Sequence, residues 1–154
     1  MLTVLASVFD KTNLVELLNQ LKEVDQLKVI ATGTTCGYLR EHGFDCSKVE
    51  DLTGFPEILE GRVKTLHPKV FAGILARGND ADRATLKEHG IAEIDVVIVN
   101  LYPFAEKMKL GLTLDKLIEF IDIGGVSLLR AAGKNYDRVS VLGAPWQTKN
   151  LPKR

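Results

Sequence analysis

Two nearly continuous apolar runs, Leu2 to Phe9 (LTVLASVF) and Ile94 to Leu101 (IDVVIVNL), restrict this chain more than any other feature. A strand wetted on one face alternates apolar with polar residues. A strand covered on both faces does not, and it belongs in a parallel sheet between helical layers. The Val/Ile core of the second run places it centrally in such a sheet.

The segments between these runs alternate in the same sense. Leu14, Leu17, Leu18, Leu21 and Val24 recur at three and four, which predicts a helix over 13–24 with one stripe to bury. Lys28 to Ala31 reads as a second strand, followed by a Thr32-Gly33-Thr34-Thr35 loop, a helix to about Gly43 and a short strand over 44–49. Residues 51–69 (DLTGFPEILEGRVKTLHPK) hold two glycines and two prolines without a sustained period, so they read as a long ordered loop with one helical turn over 56–59. Helices are expected over 68–76 and 80–89, then from Thr113 with Leu114, Leu117, Ile118 and Ile121 inward and Glu119 outward. After a break at 122–125, a helix over 126–132 and a last strand over 138–142 follow. Alternation of this kind predicts an α/β fold, a parallel sheet flanked by helices, with ligands at the carboxyl ends of the strands. Residues 1–143 form a single domain in this reading, and 144–154, with Trp146, a tail that looks cut short.

With 154 residues, 45% of them hydrophobic, the chain can bury one core. Its 20 basic and 20 acidic residues cancel, so no overall field favours a nucleic-acid polymer or an anionic membrane. Cys36 and Cys46 have neither a disulfide-framework pattern nor a zinc spacing, and reduced thiols in a cytoplasmic protein are expected. The start, MLTVLASVFDK, lacks a basic region ahead of its apolar run and reads as a strand, not a signal peptide. No run approaches the length of about 20 apolar residues that a membrane span needs.

Segments that follow parallel strands share one rim, and the residues there suit an anion. Thr32, Gly33, Thr34 and Thr35 sit where a helix opens, with free N–H groups, hydroxyl donors and a glycine that lets the backbone turn sharply; Thr34 or Thr35 as a plain helix cap is the competing reading. Ser7, Lys11 and Thr12 follow the first strand beside them, with Lys11 otherwise an ordinary solvated lysine. Arg62, Lys64, Thr65, His67 and Lys69 crowd basic groups into the long loop, able to stabilise developing negative charge unless they form a solvated run. Asp122 precedes the pair Gly124-Gly125 and reads as an acid in a turn of free N–H groups or as the cap of the next helix. Tyr102 offers a phenol at the same rim. His67 and His89 have no second ligand at helical spacing, so no metal is expected.

Taken in order, SVFDKTNLVEL, ATGTTCGYLREHGF, DLTGFPEILEGRVKTLHPKVFAGILARG, IDVVIVNLYPF and IDIGGVSLLRAAGKN closely resemble the IMP cyclohydrolase domain of the bifunctional AICAR transformylase/IMP cyclohydrolases, over almost the whole chain to about Leu142. The resemblance implies a methylglyoxal-synthase-like, Rossmann-like sheet. It also implies the last step of de novo purine synthesis, closure of 5-formamidoimidazole-4-carboxamide ribonucleotide to inosine monophosphate with loss of water. It assigns phosphate contacts to Ser7, Lys11, Thr12, Thr32, Gly33, Thr34 and Thr35. The base and reacting groups are assigned to Arg62, Lys64, Thr65, Asn100, Tyr102, Asp122, Ile123, Gly124, Gly125 and Lys134.

Within that resemblance Asp122 takes the amide proton, Lys64 and Lys134 stabilise and protonate the departing oxygen, and Tyr102 orients the reacting groups, with no cofactor. A homodimer is suggested, and formyl transfer is not expected of this chain. Phe9 stands where the family usually has serine, Asn13 and Thr34 where it has glycine, and Gly133 where it has alanine. Two rival readings share the fold. Methylglyoxal synthase, acting on dihydroxyacetone phosphate, would need a Gly-Gly-Asp catalytic stretch that is not found here. A non-catalytic nucleotide-binding regulatory module would have no use for Lys64, Asp122 and Lys134 together.

Overall fold

The computed structural model describes residues 1–144; the residues that follow, including Trp146 and all but the first residue of the expected tail, lie outside the described part. Strand β1 (Leu2–Val8) is followed by α1 (Leu14–Val24), β2 (Leu27–Ala31), α2 (Gly33–Glu41), β3 (Cys46–Lys48) and α3 (Val49–Thr53). Then come α4 (Pro68–Leu75), α5 (Asp80–Glu88), β4 (Val96–Asn100), α6 (Phe104–Met108), α7 (Leu114–Ile118), α8 (Gly124–Lys134) and β5 (Ser140–Leu142). The five described strands form one sheet in the order β3-β2-β1-β4-β5, every pair parallel.

Strand periodicity divides the interior into two layers. Val4, Ala6 and Val8 of β1, Val29 and Ala31 of β2, and Val96 and Ile98 of β4 pack with Leu14, Leu17, Leu18 and Leu21 of α1 and with Cys36 and Leu39 of α2. The intervening residues, Leu5, Ile30, Val97 and Val99, meet Val49 of α3, Val70 and Ile74 of α4, and Leu128 and Ala132 of α8 on the opposite face. Both apolar runs are therefore covered on both sides, as their composition demanded.

The chain turns from one half of the sheet to the other at β1, which pairs with β2 on one edge and β4 on the other. A crevice opens beyond the carboxyl ends of the strands at such a switch point. This order also makes β1 the central strand. The run over 94–101 supplies β4, one place off centre, because strand order follows pairings between distant segments that local apolarity does not encode.

Two further expectations are corrected. Residues 49–53 are helical, and 56–59 form no helical turn; Ile58 and Val63 instead pair across a hairpin-like tip, with bonds of 3.1 and 3.4 Å between their backbones. The apolar side chains over 114–121 do not reach the core either. Leu114, Ile118 and Ile121 are 71%, 43% and 52% exposed. The helix there is one short turn and a half, too brief to lay a stripe on the sheet, and its residues serve the crevice instead.

Local chemistry explains several ends. Pro68 opens α4 with its fixed φ, and His67 Nδ1 accepts from Lys69 N–H at 3.2 Å. Asn79 Oδ1 accepts from Asp82 N–H at 2.8 Å to cap α5. Asn13 enters α1 at φ 61°, a left-handed conformation that asparagine tolerates and glycine prefers, which accounts physically for glycine in the relatives it resembles.

Candidate functional site

The crevice is a cavity of about 700 Å³ over the ends of β1, β2 and β4, walled by the loop before α4 and by the turn between α7 and α8. Its β1–β2 end gathers hydrogen-bond donors and one cation. The first intrahelical bond of α2 runs from Cys36 N–H to Thr32 O at 2.8 Å, so the N–H groups of Gly33, Thr34 and Thr35 lie ahead of it. Ser7, Lys11, Thr32 and Thr34 line the cavity there. Lys11 Nζ donates to Phe9 O of its own turn at 3.4 Å and stands 6.0 Å from the Tyr38 ring centre.

Thr35 is fully buried and does a different job. Its Oγ1 donates to Val8 O at 3.2 Å and accepts from Val8 N–H at 3.3 Å and from Thr32 Oγ1 at 3.4 Å, so it ties the start of α2 to the end of β1. Thr12 also falls outside the cavity lining. Its backbone N–H donates to Asp10 Oδ1 at 2.9 Å, and its hydroxyl and N–H together hold the Asp10 carboxyl below the usual aspartate range.

Asn100 ends β4 and has both sides of its amide engaged. Oδ1 accepts from Phe9 N–H at 2.7 Å and Asp10 N–H at 2.8 Å, while Nδ2 donates to Asp10 O at 2.6 Å. Asn100 lines the cavity and at the same time shapes the turn that carries Lys11. Tyr102 lies beyond it, edge-on to Phe9 (5.4 Å between centroids, 70°) and to Phe120 (6.0 Å, 84°). Such tilted pairs are favourable and hold the ring in place.

At the other end the cavity is lined by Arg62, Lys64, Thr65, Asp122, Ile123, Gly124 and Gly125. Asp122 Oδ1 accepts from Gly125 N–H at 2.6 Å and Val126 N–H at 3.3 Å, capping α8, while among the described residues no hydrogen bond reaches Oδ2. Both glycines are required by close approach. A Cβ on Gly124 would stand 2.6 Å from Thr65 Oγ1, and one on Gly125 would stand 2.8 Å from Asp122 Oδ1 and 2.9 Å from Leu101. Lys64 Nζ lies 3.4 Å from Glu57 Oε2. Arg62 Nε donates to Glu119 Oε2 at 3.2 Å and its Nη2 to Oε1. That pairing raises the arginine's pKa and lowers the glutamate's.

Thirteen of the seventeen expected site residues therefore meet in one cavity: Ser7, Lys11, Thr32, Thr34, Arg62, Lys64, Thr65, Asn100, Tyr102, Asp122, Ile123, Gly124 and Gly125. Thr12, Gly33, Thr35 and Lys134 are not in its lining. Lys134 lies farthest off: it closes α8, whose first residue is Gly124, so at 1.5 Å per residue its backbone sits roughly 15 Å along the axis from the helix start at the cavity. Conversely, Glu119, expected to face outward on its helix, and Phe9, expected only to cost the site a hydroxyl, both line the cavity. Glu119's spacing of three from Asp122 was the available signal. Among the described residues no group of three or more His, Cys, Asp or Glu side chains could hold a metal, and no helix is long and apolar enough to cross a membrane.

Residues 13–127 match the family model described as the MGS-like domain. The chain is 51% identical over 152 residues to the bifunctional purine biosynthesis protein PurH of Aquifex aeolicus, covering 96% of this chain and 30% of that protein. It is 50% identical over 143 residues to the protein of the same name in Bacillus subtilis, covering 92% of this chain and 28% of that one. The chain thus spans about 30% of the length of these relatives. Among solved structures, the crystal structure of ForH superposes with a TM-score of 0.79 at 35% identity, over 96% of this chain and 76% of that one. A five-stranded parallel sheet, its crevice at the β1–β4 switch point and a match over most of the chain agree, and this chain belongs to the family of MGS-like domains.

Proposed function

We propose that this domain is an IMP cyclohydrolase, closing 5-formamidoimidazole-4-carboxamide ribonucleotide to inosine monophosphate. The observation that carries the reading is the division of one cavity into two ends, with Lys11, hydroxyls and the opening of α2 at one and Lys64, Tyr102 and Asp122 at the other. A ribonucleotide has that division in its own structure, a dianion joined through a sugar to a heterocycle.

The reaction forms a bond between the carboxamide nitrogen and the formyl carbon. One hydrogen from that nitrogen and one from the formamide nitrogen leave with the formyl oxygen as water. An amide nitrogen is a poor nucleophile, so binding must hold the two groups in contact while a base takes the proton and cations stabilise the oxyanion. Asp122 suits the base: Oδ1 is spent on the α8 cap, which fixes the carboxylate, and Oδ2 is available. Lys64 suits the oxyanion and the proton it needs. Tyr102, wedged between Phe9 and Phe120, orients the heterocycle. Thr65, pressed against Gly124, and the backbone over 123–125 border the ring.

Incubating the protein with the formamido ribonucleotide and following the hypoxanthine chromophore tests this directly, with dihydroxyacetone phosphate as a parallel substrate. Formation of inosine monophosphate is expected; methylglyoxal formation, or nucleotide binding without turnover, would replace the reading with one of its rivals. A cytoplasmic location fits a soluble nucleotide substrate. A homodimer is supported by the exposed apolar side chains of the α6–α7 region, among them Phe104, Met108, Leu110 and Leu114, at 37%, 58%, 64% and 71% exposure. Light scattering on the eluting protein would read the mass.

A further inference from the structure

The loop between α3 and α4 reaches the cavity through a tip held by its own backbone. Besides the Ile58–Val63 pairing, Gly61 N–H donates to Ile58 O at 3.2 Å and Arg62 N–H to Leu59 O at 3.1 Å. Leu59, Glu60 and Gly61 take φ of 54°, 55° and 85° in succession. A left-handed backbone is unfavourable for Leu59 and Glu60, and it persists where the surroundings over-determine it. A tip constrained in this way shifts as a unit.

What joins that unit to the far wall of the cavity is the fork-to-fork pair of Arg62 with Glu119, the residue after α7. Both side chains line the cavity, at 60% and 53% exposure. A carboxylate seated on the Nε–Nη2 edge of a guanidinium occupies one of the forks by which arginine recognises a planar acceptor. Lys64 is likewise neighboured by Glu57 at 3.4 Å. Lys11, at the phosphate end, is in no close ion pair among the described residues: its one hydrogen bond there is to Phe9 O, and Asp10 acts on it only through a weak Coulomb attraction. One end of the cavity thus stands open to an anion, while the other is occupied by carboxylates of the chain itself.

We propose that Glu119 is a specificity-determining latch: it holds Arg62 in the ligand-free chain and gives way only to a ligand that brings an acceptor-bearing heterocycle along with its phosphate. This rests on the reading of the cavity as a nucleotide site. A sugar phosphate without a base satisfies Lys11 and the start of α2 and leaves the latch shut. A nucleotide must compete with Glu119 for the guanidinium, and only then does the tip rearrange.

The test is calorimetric titration of the wild type and Glu119→Gln with inosine monophosphate and with ribose 5-phosphate, alongside hydrogen exchange over residues 57–66 in the ligand-free proteins. Removing the competing charge should lower the Kd for inosine monophosphate about two- to fivefold, the scale of an exposed ion pair, and leave that for ribose 5-phosphate in place. Exchange at the tip should rise. An equal fall for both ligands would mark a general field effect and overturn the latch, and unchanged exchange at the tip would do the same. If neither protein binds inosine monophosphate while the tip exchange rises in the variant, the nucleotide reading has failed and the competition built on it falls too.

Discussion

Replacing Asp122 by asparagine keeps an oxygen where Gly125 N–H points and takes away the proposed base, so it separates the cap from the proposed catalytic duty. Turnover in Asp122→Asn should fall by about 10²- to 10⁴-fold, the usual worth of a general base, with the melting temperature nearly unchanged. Lys64→Ala should lose a comparable factor with only a modest change in nucleotide Kd; wild-type rates in both variants would remove the mechanism. Away from the cavity, Asp82 offers a check by pH. Its carboxylate accepts from Arg77 Nη2 at 2.8 Å and Nε at 3.0 Å, and that arginine lowers its pKa to about 2. A depressed carboxylate contributes stability that is present above its ordinary value near 3.8 and is lost as pH falls toward 2. Asp82→Asn should therefore lower the melting temperature slightly at neutral pH, leave it unchanged near pH 2, and so flatten the acid limb in that window. The roles of Asp122 and Asn100 show what single residues conceal. A carboxylate before two glycines can be read as base or cap, and the fold makes it a cap with one oxygen to spare. An asparagine at a strand end gives no hint that residues far away in sequence will engage both sides of its amide.

Helices α2 and α8 aim their first turns at the same cavity, yet among the described residues no side chain caps α2, whereas Asp122 takes the Gly125 and Val126 N–H groups of α8. In the proposed function that difference suits one helix start to an anion and makes the other a mount for an acid. Gly125→Ala should disturb the mount, because the new Cβ would meet the Asp122 carboxylate and Leu101 at once. Overpacking of that kind costs about 1–3 kcal/mol, and the displaced acid should lose at least tenfold in turnover; unfolding curves and initial rates read the two effects separately. Gly133, near the other end of α8, has open space where a Cβ would stand, with nothing within 4 Å. Gly133→Ala should raise stability by about 0.5–1 kcal/mol in denaturant, since it removes only the backbone freedom of the unfolded chain. Elements such as these were legible because their cues are local: apolar period, a proline or glycine at an end, hydroxyls before a helix. The tip over 58–63 was not, since its pairing and three left-handed residues leave no periodic trace. Nor was the exposure of α7, whose spacing is that of a buried helix although its length cannot reach the sheet.

Across the whole molecule the two ends of the sheet divide the work. The carboxyl ends of the strands carry the cavity, and the opposite rim is pinned by side chains that bind backbone. Thr3 N–H donates to Asp95 Oδ2 at 2.8 Å, Asp95 N–H to Thr3 O at 2.9 Å, and Ser140 N–H to Asp95 O at 2.9 Å, which aligns the starts of β1, β4 and β5. Arg138 lies at the centre of this rim. Its guanidinium donates to Ala76 O at 2.8 Å, Gly73 O at 2.7 Å, Ile74 O at 3.0 Å and Ile94 O at 3.1 Å, and Asn135 Nδ2 adds bonds to Ile74 O and Ala76 O at 2.7 and 2.8 Å. The end of α4, the approach to β4 and the approach to β5 are thereby joined through one cation whose side chain is only 15% exposed. Arg138→Met would keep most of the aliphatic stem and strip these carbonyls of their donors. Leaving a buried acceptor unpaired costs about 1–3 kcal/mol where no other donor arrives; Asn135 still serves two of the four and Ile94 N–H serves Gly73 O, so Ile94 O is the one left bare. A total loss of roughly 1–3 kcal/mol is expected from chemical denaturation. Because the cavity lies at the other end of the strands, nucleotide Kd measured well below the unfolding transition should stay at the wild-type value. A weakened Kd with unchanged stability would mean that the two rims are not separate, and that the fold transmits what happens at Arg138 across the length of the sheet.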